Sequence, residues 1–277
     1  MSDAFAHCEQ LTREADKDRF LATLFAPAQR RGPLFALYAF NVEVTRVRDA
    51  IRDPMAGEVR LQWWHDAIER PGAGEARANP VAAALLDTVV RFRLPVSRLL
   101  GLIEAHRFDL YVEPMPTVVA LETYCEQTSV ALFELAGRIL DGRADDIATP
   151  ARHAGIAAGL VGLLRALPQH LARGQLTLPL DLLERHGARP ADVLARRATP
   201  ELVAALAEIR AMARTHLDAF RQSDVSPALA PAFLPATLID LYLARLDRQR
   251  DPFRVADVPQ WRRQWRLWRA ARRIPTP

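Results

Sequence analysis

Residues 155–179 read GIAAGLVGLLRALPQHLARGQLTLP. The first part has the three- and four-residue apolar spacing of a helix buried along much of its surface. Gly155, Ala158, Gly159 and Gly162 keep one of its faces thin. Two readings of that thin face stay open: close packing by a neighbouring helix, or the wall of an apolar tunnel that a bulkier residue would fill. An Arg-Gly pair at 173–174 breaks the helix, and a short extended run ends at Pro179. No carboxylate occurs anywhere in the stretch, so by itself it cannot hold a hard divalent cation.

The same helical period runs through most of the chain, while alternating strand patterns are scarce. The segment DRFLATLFA at 18–26 leads to Pro27, and a long helix is expected from about Gly32 to Arg52, with Pro33 in its first turn and Pro54 ending it. A short amphipathic helix, GEVRLQWWHDAIE, carries Trp63 and Trp64, one expected in the core and one at the surface. Arg70–Pro80 and Asp141–Pro150 read as polar loops. Further helices are expected at about 81–92, 96–112, 117–140, 199–222 and 235–249, with a short helix closed by Gly187 and a Trp/Arg-rich helix at about 258–273. No repeat, low-complexity tract or linker interrupts the pattern. The expectation is one all-α domain over residues 1–277: a helical bundle around a central apolar cavity.

Composition narrows the function. With 50% hydrophobic and 25% charged residues, the 277-residue chain has ample material for a core. A net charge of +4 gives no reason to expect a nucleic-acid partner. Lys17 is the only lysine, and its charged DKDR surroundings are not expected to form a pocket. Cys8 and Cys125 are too few and too far apart for a disulfide framework or a zinc site. The N-terminal MSDAFAHCEQ lacks the apolar stretch of a secretory signal, and no run of about 18 apolar residues is free of charge. These features lead to the expectation of a soluble, cytoplasmic protein in a reducing compartment.

Several landmarks then converge on a family. The opening LYAF helix at 37–40, the middle segment LIEAHRFDLYVEPMPTVVALETYCEQTSVALFELAGRILDG with Arg107, Asp109, Tyr124 and Cys125, and the Leu-Leu-Arg and Arg-Gly…Leu-Pro of the 155–179 stretch appear in order. Together they resemble the squalene/phytoene synthase family from about residue 15 to about 250. The resemblance implies two facing helices, each offering two aspartates four residues apart that grip Mg²⁺ on a diphosphate leaving group. Aligned on Tyr38-Ala39-Phe40, the first motif falls on Thr45 and Asp49; aligned on Leu163-Leu164-Arg165, the second falls on Ala166 and His170. Asp49 alone keeps its carboxylate. The literal DAIRD at 49–53 offers Asp53 as a substitute partner, although it abuts Pro54; DRQRD at 247–251 has the same spacing but reads as a solvated face.

This pattern of loss resembles the branch formed by mitochondrial complex I assembly factors and their bacterial relatives, through Phe40-Asn41-Val42-Glu43, Leu61-Gln62-Trp63-Trp64 and the Leu-Arg-Ala-Leu-Pro-Gln-His at 164–170. The resemblance implies a non-catalytic role with respiratory-complex subunits or assembly proteins as partners, no cofactor, and a retained isoprenoid or lipid site. Tyr38, Asn41, Thr45, Arg107, Tyr124, Gly159, Gly162, Arg165 and Ala166 are the candidate lining residues. The competing reading is an active prenyltransferase of isoprenoid or carotenoid biosynthesis, with Mg²⁺ held by Asp49 and Asp53; His170 is a residual catalytic candidate that could act as a general base or cap a ligand's polar head. Asp49 is otherwise expected in a surface pair with Arg46 or Arg52, and Arg107 and Asp109 as a structural pair or part of the cavity wall. Arg165 needs an anion, either a core carboxylate such as Glu43 or a ligand phosphate. Finally, Trp261, Trp265 and Trp268 share one stripe amid arginines. That helix suits either the inner face of the cytoplasmic membrane or packing of the stripe on the domain.

Overall fold

A computed structural model describes residues 3–51, 53–71, 76–140 and 146–272; among them every regular element is helical. The N-terminal segment forms α1 (Asp3–Ala15), which lies on α3 (Ala28–Thr45) and α6 (Pro80–Phe92). Between α1 and α3 lies α2 (Lys17–Thr23), whose first turn is capped by the Asp16 carboxylate accepting from the Arg19 amide.

The first expected helix is corrected at both ends. It starts at Ala28, directly after Pro27, so Pro33 lies inside it. It breaks after Thr45 into the short α4 (Val47–Ala50), and Ile51 is extended at φ −124°. The DAIRD run therefore does not lie on one helix: Asp49 sits on α4, whereas Asp53 caps α5 (Pro54–Glu69) by accepting from the Met55 amide at 3.0 Å. On α5, Trp64 is fully buried edge-on against Phe40, while Trp63 is half-buried beneath Arg60.

The middle of the chain is also more broken than its period implies. Helix α7 (Val96–Arg107) ends in a 3₁₀ turn at Phe108–Leu110. What reads as one helix over 117–140 is α8 (Val118–Cys125), a π turn at Glu126–Val130 and α9 (Ala131–Leu140). The pivotal α10 (Ala148–Ala172) begins seven residues before Gly155 and carries Pro168 internally. Gly174 takes φ +73°, where a side chain would be strained, and so ends the helix sharply. The run that follows is fixed to Met115, whose amide donates to Leu176 O and whose carbonyl accepts from Leu180 N.

Beyond α11 (Leu180–Arg185) and α12 (Pro190–Leu194), the long α13 (Pro200–Gln222) packs along α10. The expected 235–249 helix divides into α14 (Ala230–Phe233), a 3₁₀ turn at Leu234–Leu238 and α15 (Ile239–Asp247). Last comes α16 (Gln260–Ala271), laid on that 3₁₀ turn and on α2 with Leu267 buried beneath it. One large core cluster draws on nearly all these helices.

Candidate functional site

Between α3, α8 and its π turn, α10 and α15 lies a cavity of about 490 Å³, with α2 and α16 contributing to its wall. That size is in the range of ligand pockets. A mouth region of about 450 Å³ adjoins it and shares Thr45, His106, Asp109, Tyr124, Arg165 and His170 with it.

The thin face of α10 serves both of its possible purposes, at different positions. A side chain at Gly155 would strike the backbone nitrogen of Val130 at 2.6 Å, and one at Gly159 would meet Cys125 Sγ at 2.6 Å. These two glycines let the π turn and the end of α8 press against α10. Gly162 has nothing within 4 Å of a built Cβ and opens onto the cavity.

Of the residues singled out from sequence, Asn41, Thr45, Tyr124, Gly159, Gly162, Arg165, Ala166 and His170 line the cavity, and Asp49 lines its mouth. Tyr38 does not; it is buried behind the wall, with the Arg19 guanidinium 5.6 Å from its ring, and burial pushes its hydroxyl up to about 12. Arg107 faces away, pairing with Glu58 and Glu104 and bonding Gln62 at 2.8 Å. It makes no pair with Asp109. Asp109 instead lies 2.6 Å from His106 Nδ1 and accepts from the Tyr124 hydroxyl at 2.9 Å, so the three form one polar patch on the wall. Burial, then the Asp109 charge, holds the Tyr124 hydroxyl well above its ordinary range. Gln175 buttresses the patch by donating to the carbonyls of Asp109 and Tyr111.

The four motif positions behave differently from a metal site. Thr45 turns its hydroxyl back to Asn41 O at 2.9 Å. Asp49 is ion-paired with Arg173, just past the end of α10, rather than with Arg46; Arg52 lies outside the described residues. Ala166 offers no ligand atom. His170 Nδ1 lies 3.1 Å from Thr177 Oγ1, and burial lowers its pKa, so the ring is neutral at pH 7. Mg²⁺ takes hard oxygen ligands and carboxylates; one carboxylate already matched by a guanidinium does not fit it. Asp53 lines neither the cavity nor its mouth. Among the described residues, the single cluster of three metal-capable groups is His65, Asp66 and Glu69, on α5 and outside the cavity wall.

Sequence reasoning missed part of the wall. The DKDR run lies on the cavity, contrary to expectation: Asp16, Lys17, Asp18 and Arg19 all line it. Asp18 accepts from Tyr242 OH at 2.5 Å and from Arg263 at 2.7 Å, joining the start of the chain to α15 and α16. Tyr242, the one hydroxyl in IDLYLARL, was a readable signal; Arg263 was hidden among five other arginines. Arg165 lies over the Tyr242 ring, 3.7 Å from its centroid, and Glu43 is not its partner but that of Arg60 at 2.7 Å.

Residues 12–269 match the squalene/phytoene synthase family. The chain is 33% identical to NADH dehydrogenase (ubiquinone) complex I, assembly factor 6 of Rattus norvegicus, in an alignment covering 89% of this chain and 74% of the relative. It is 29% identical to a phytoene synthase of Arthrospira platensis over 70% of this chain and 66% of that one. Among solved structures, squalene synthase HpnC from Alicyclobacillus acidocaldarius superposes with a TM-score of 0.78 at 27% identity, covering 89% of this chain and 94% of that one.

Proposed function

Because the chain belongs to the squalene/phytoene synthase family, we propose that it is a member without catalysis, acting in the assembly of respiratory complex I and keeping its cavity for an isoprenoid or another lipid. One observation carries the reading. Of the four positions where the family places its aspartates, only Asp49 has a carboxylate, and that carboxylate is ion-paired with Arg173. Expelling a diphosphate leaves charge that must be compensated, and the residues present cannot recruit the metal that does so. The similarity to a complex I assembly factor supports the assembly role. The loss of metal ligands leaves the cavity open beside Gly162, with Leu132, Val161, Leu163 and Ile239 forming an apolar side to a wall that is otherwise largely polar, and that apolar side supports lipid binding.

The same reading places the protein on the inner face of the cytoplasmic membrane. No helix among the described residues is long and apolar enough to cross one. On α16, however, Trp261, Trp265 and Trp268 point outward while Leu267 anchors the other side. Arg262, Arg269 and Arg272 each stack on one of the three indoles. Exposed indoles with adjacent guanidinium groups suit a headgroup layer with anionic lipid.

Two experiments test the proposal. Purified protein given farnesyl or geranylgeranyl diphosphate with Mg²⁺ is expected to form no C30 or C40 product; product abolished by Asp49→Ala would establish the enzyme instead. Deleting the gene is expected to lower assembled NADH:quinone oxidoreductase, and unchanged assembly would reject the role.

A further inference from the structure

Outside the cavity, two imidazoles meet across the seam between α10 and α13. His153 Nδ1 lies 3.1 Å from His216 Nδ1, with the ring centroids 5.3 Å apart and the planes tilted by 45°. Their helix neighbours Ala154 and Ala157 on α10, and Ala213 and Leu217 on α13, are buried, so both rings stand half-buried on rigid, packed backbone. The charges nearby cancel, because Arg152 is paired with Glu126 at 2.7 Å. Burial, then the adjacent His153 and Arg152, lowers the pKa of His216, so its ring is neutral at pH 7.

Two ring nitrogens at this separation either share one proton or hold one cation. A metal ion at the roughly 2.0–2.1 Å of a metal–imidazole bond would see both nitrogens at an angle of about 100°. That angle falls between the square-planar and tetrahedral arrangements, the geometries of Cu²⁺ or Ni²⁺ and of Zn²⁺. Neutral imidazole donors suit those ions rather than Mg²⁺ or Ca²⁺, which take oxygen. Binding through both Nδ1 atoms needs each neutral ring to carry its proton on Nε2, a tautomer change that releases no proton overall. The cluster on α5 lacks such convergence: His65 Nδ1 is 3.9 Å from Asp66 and 4.0 Å from Glu69, and all three groups come from a single helix. We propose that His153 and His216 form a two-histidine site for one borderline transition-metal cation, Zn²⁺, Cu²⁺ or Ni²⁺, with solvent completing its coordination. A cation held there would tie α13 to α10, which carries Gly162 and Arg165 of the cavity wall, whatever the cavity itself holds.

The test is calorimetric titration of the full, untagged chain, stripped with EDTA and dialysed free of it, with Zn²⁺, Cu²⁺, Ni²⁺ and Mg²⁺ in turn. At least one of the first three is expected to bind as one ion per chain, and Mg²⁺ is expected not to bind. His153→Gln and His216→Gln should each weaken that binding at least about tenfold, the scale on which even an outer partner of a metal ligand acts, while His65→Gln leaves it unchanged. The ion should also raise the melting temperature of the parent and of neither variant at 153 or 216; melting in EDTA shows that those variants fold. The unmutated chain gives a second readout: substoichiometric amounts of the bound ion should perturb the ring NMR signals of His153 and His216 before those of His65 and His186. No binding, binding that survives both substitutions, or perturbation that begins at other histidines overturns the site. Loss in only one variant overturns the pair in favour of a single-histidine contact. Mg²⁺ binding as tightly overturns imidazole ligation in favour of carboxylates.

Discussion

His170 occupies a position where the family's resemblance calls for a carboxylate, yet its ring is turned to Thr177 and kept neutral chiefly by burial. The sign of its pH dependence follows. Its folded pKa lies below the unfolded value of about 6.5, so the unfolded chain takes up the proton first as pH falls. Stability from this residue is present above about pH 6.5 and is lost on acidification toward the folded pKa. The drop in melting temperature between pH 7.5 and 5.5 should be smaller in His170→Gln than in the parent; an equal drop would show that the imidazole titrates alike in both states. The two thiols should be quiet for a related reason. Burial pushes Cys8 and Cys125 up to about 12, so both should react with a thiol reagent at neutral pH only after denaturation.

At the scale of elements, the glycines of α10 separate packing from lining. Gly155→Ala drives a methyl into the backbone of the π turn and should cost about 1–3 kcal/mol, the usual penalty of overpacking. Gly162→Ala meets nothing and should gain about 0.5–1 kcal/mol from helix propensity; urea denaturation of the pair checks both signs. The sequence period was enough to reveal that α10 is helical and that its small residues matter, because i, i+3 and i+4 spacing reports a buried face directly. It could not assign each glycine to a neighbour, since that depends on the π turn, and a one-residue change of helical pitch leaves no mark in the apolar pattern. The break between α3 and α4 was hidden for the same reason: Arg46, Val47 and Arg48 continue an acceptable helical pattern while the backbone departs from it. Proline misled in the other direction at Pro33, expected in a first turn but lying inside α3, whereas Pro168 falls within a helix already expected to run to Arg173-Gly174.

For the whole molecule, the Trp stripe of α16 is 64%, 54% and 45% exposed at Trp261, Trp265 and Trp268, so replacing all three with alanine should leave the melting temperature nearly unchanged. The same change should strongly reduce co-sedimentation with anionic vesicles, and the parent's binding should weaken as salt rises. Retained vesicle binding in the variant would remove α16 from the membrane reading. Leu267→Ala, in contrast, empties the socket that seats α16 and should cost about 2–5 kcal/mol. The fold and the loss of aspartates were legible because each is written in local text. The wall was not, because it unites residues such as Asp18 and Arg263, which stand 245 positions apart. That separation bears on biosynthesis. Until α16 has been made, Asp18 has no guanidinium from that helix and the wall that both residues line is incomplete. The chamber is therefore closed late in synthesis, when α16 settles over the 3₁₀ turn and α2.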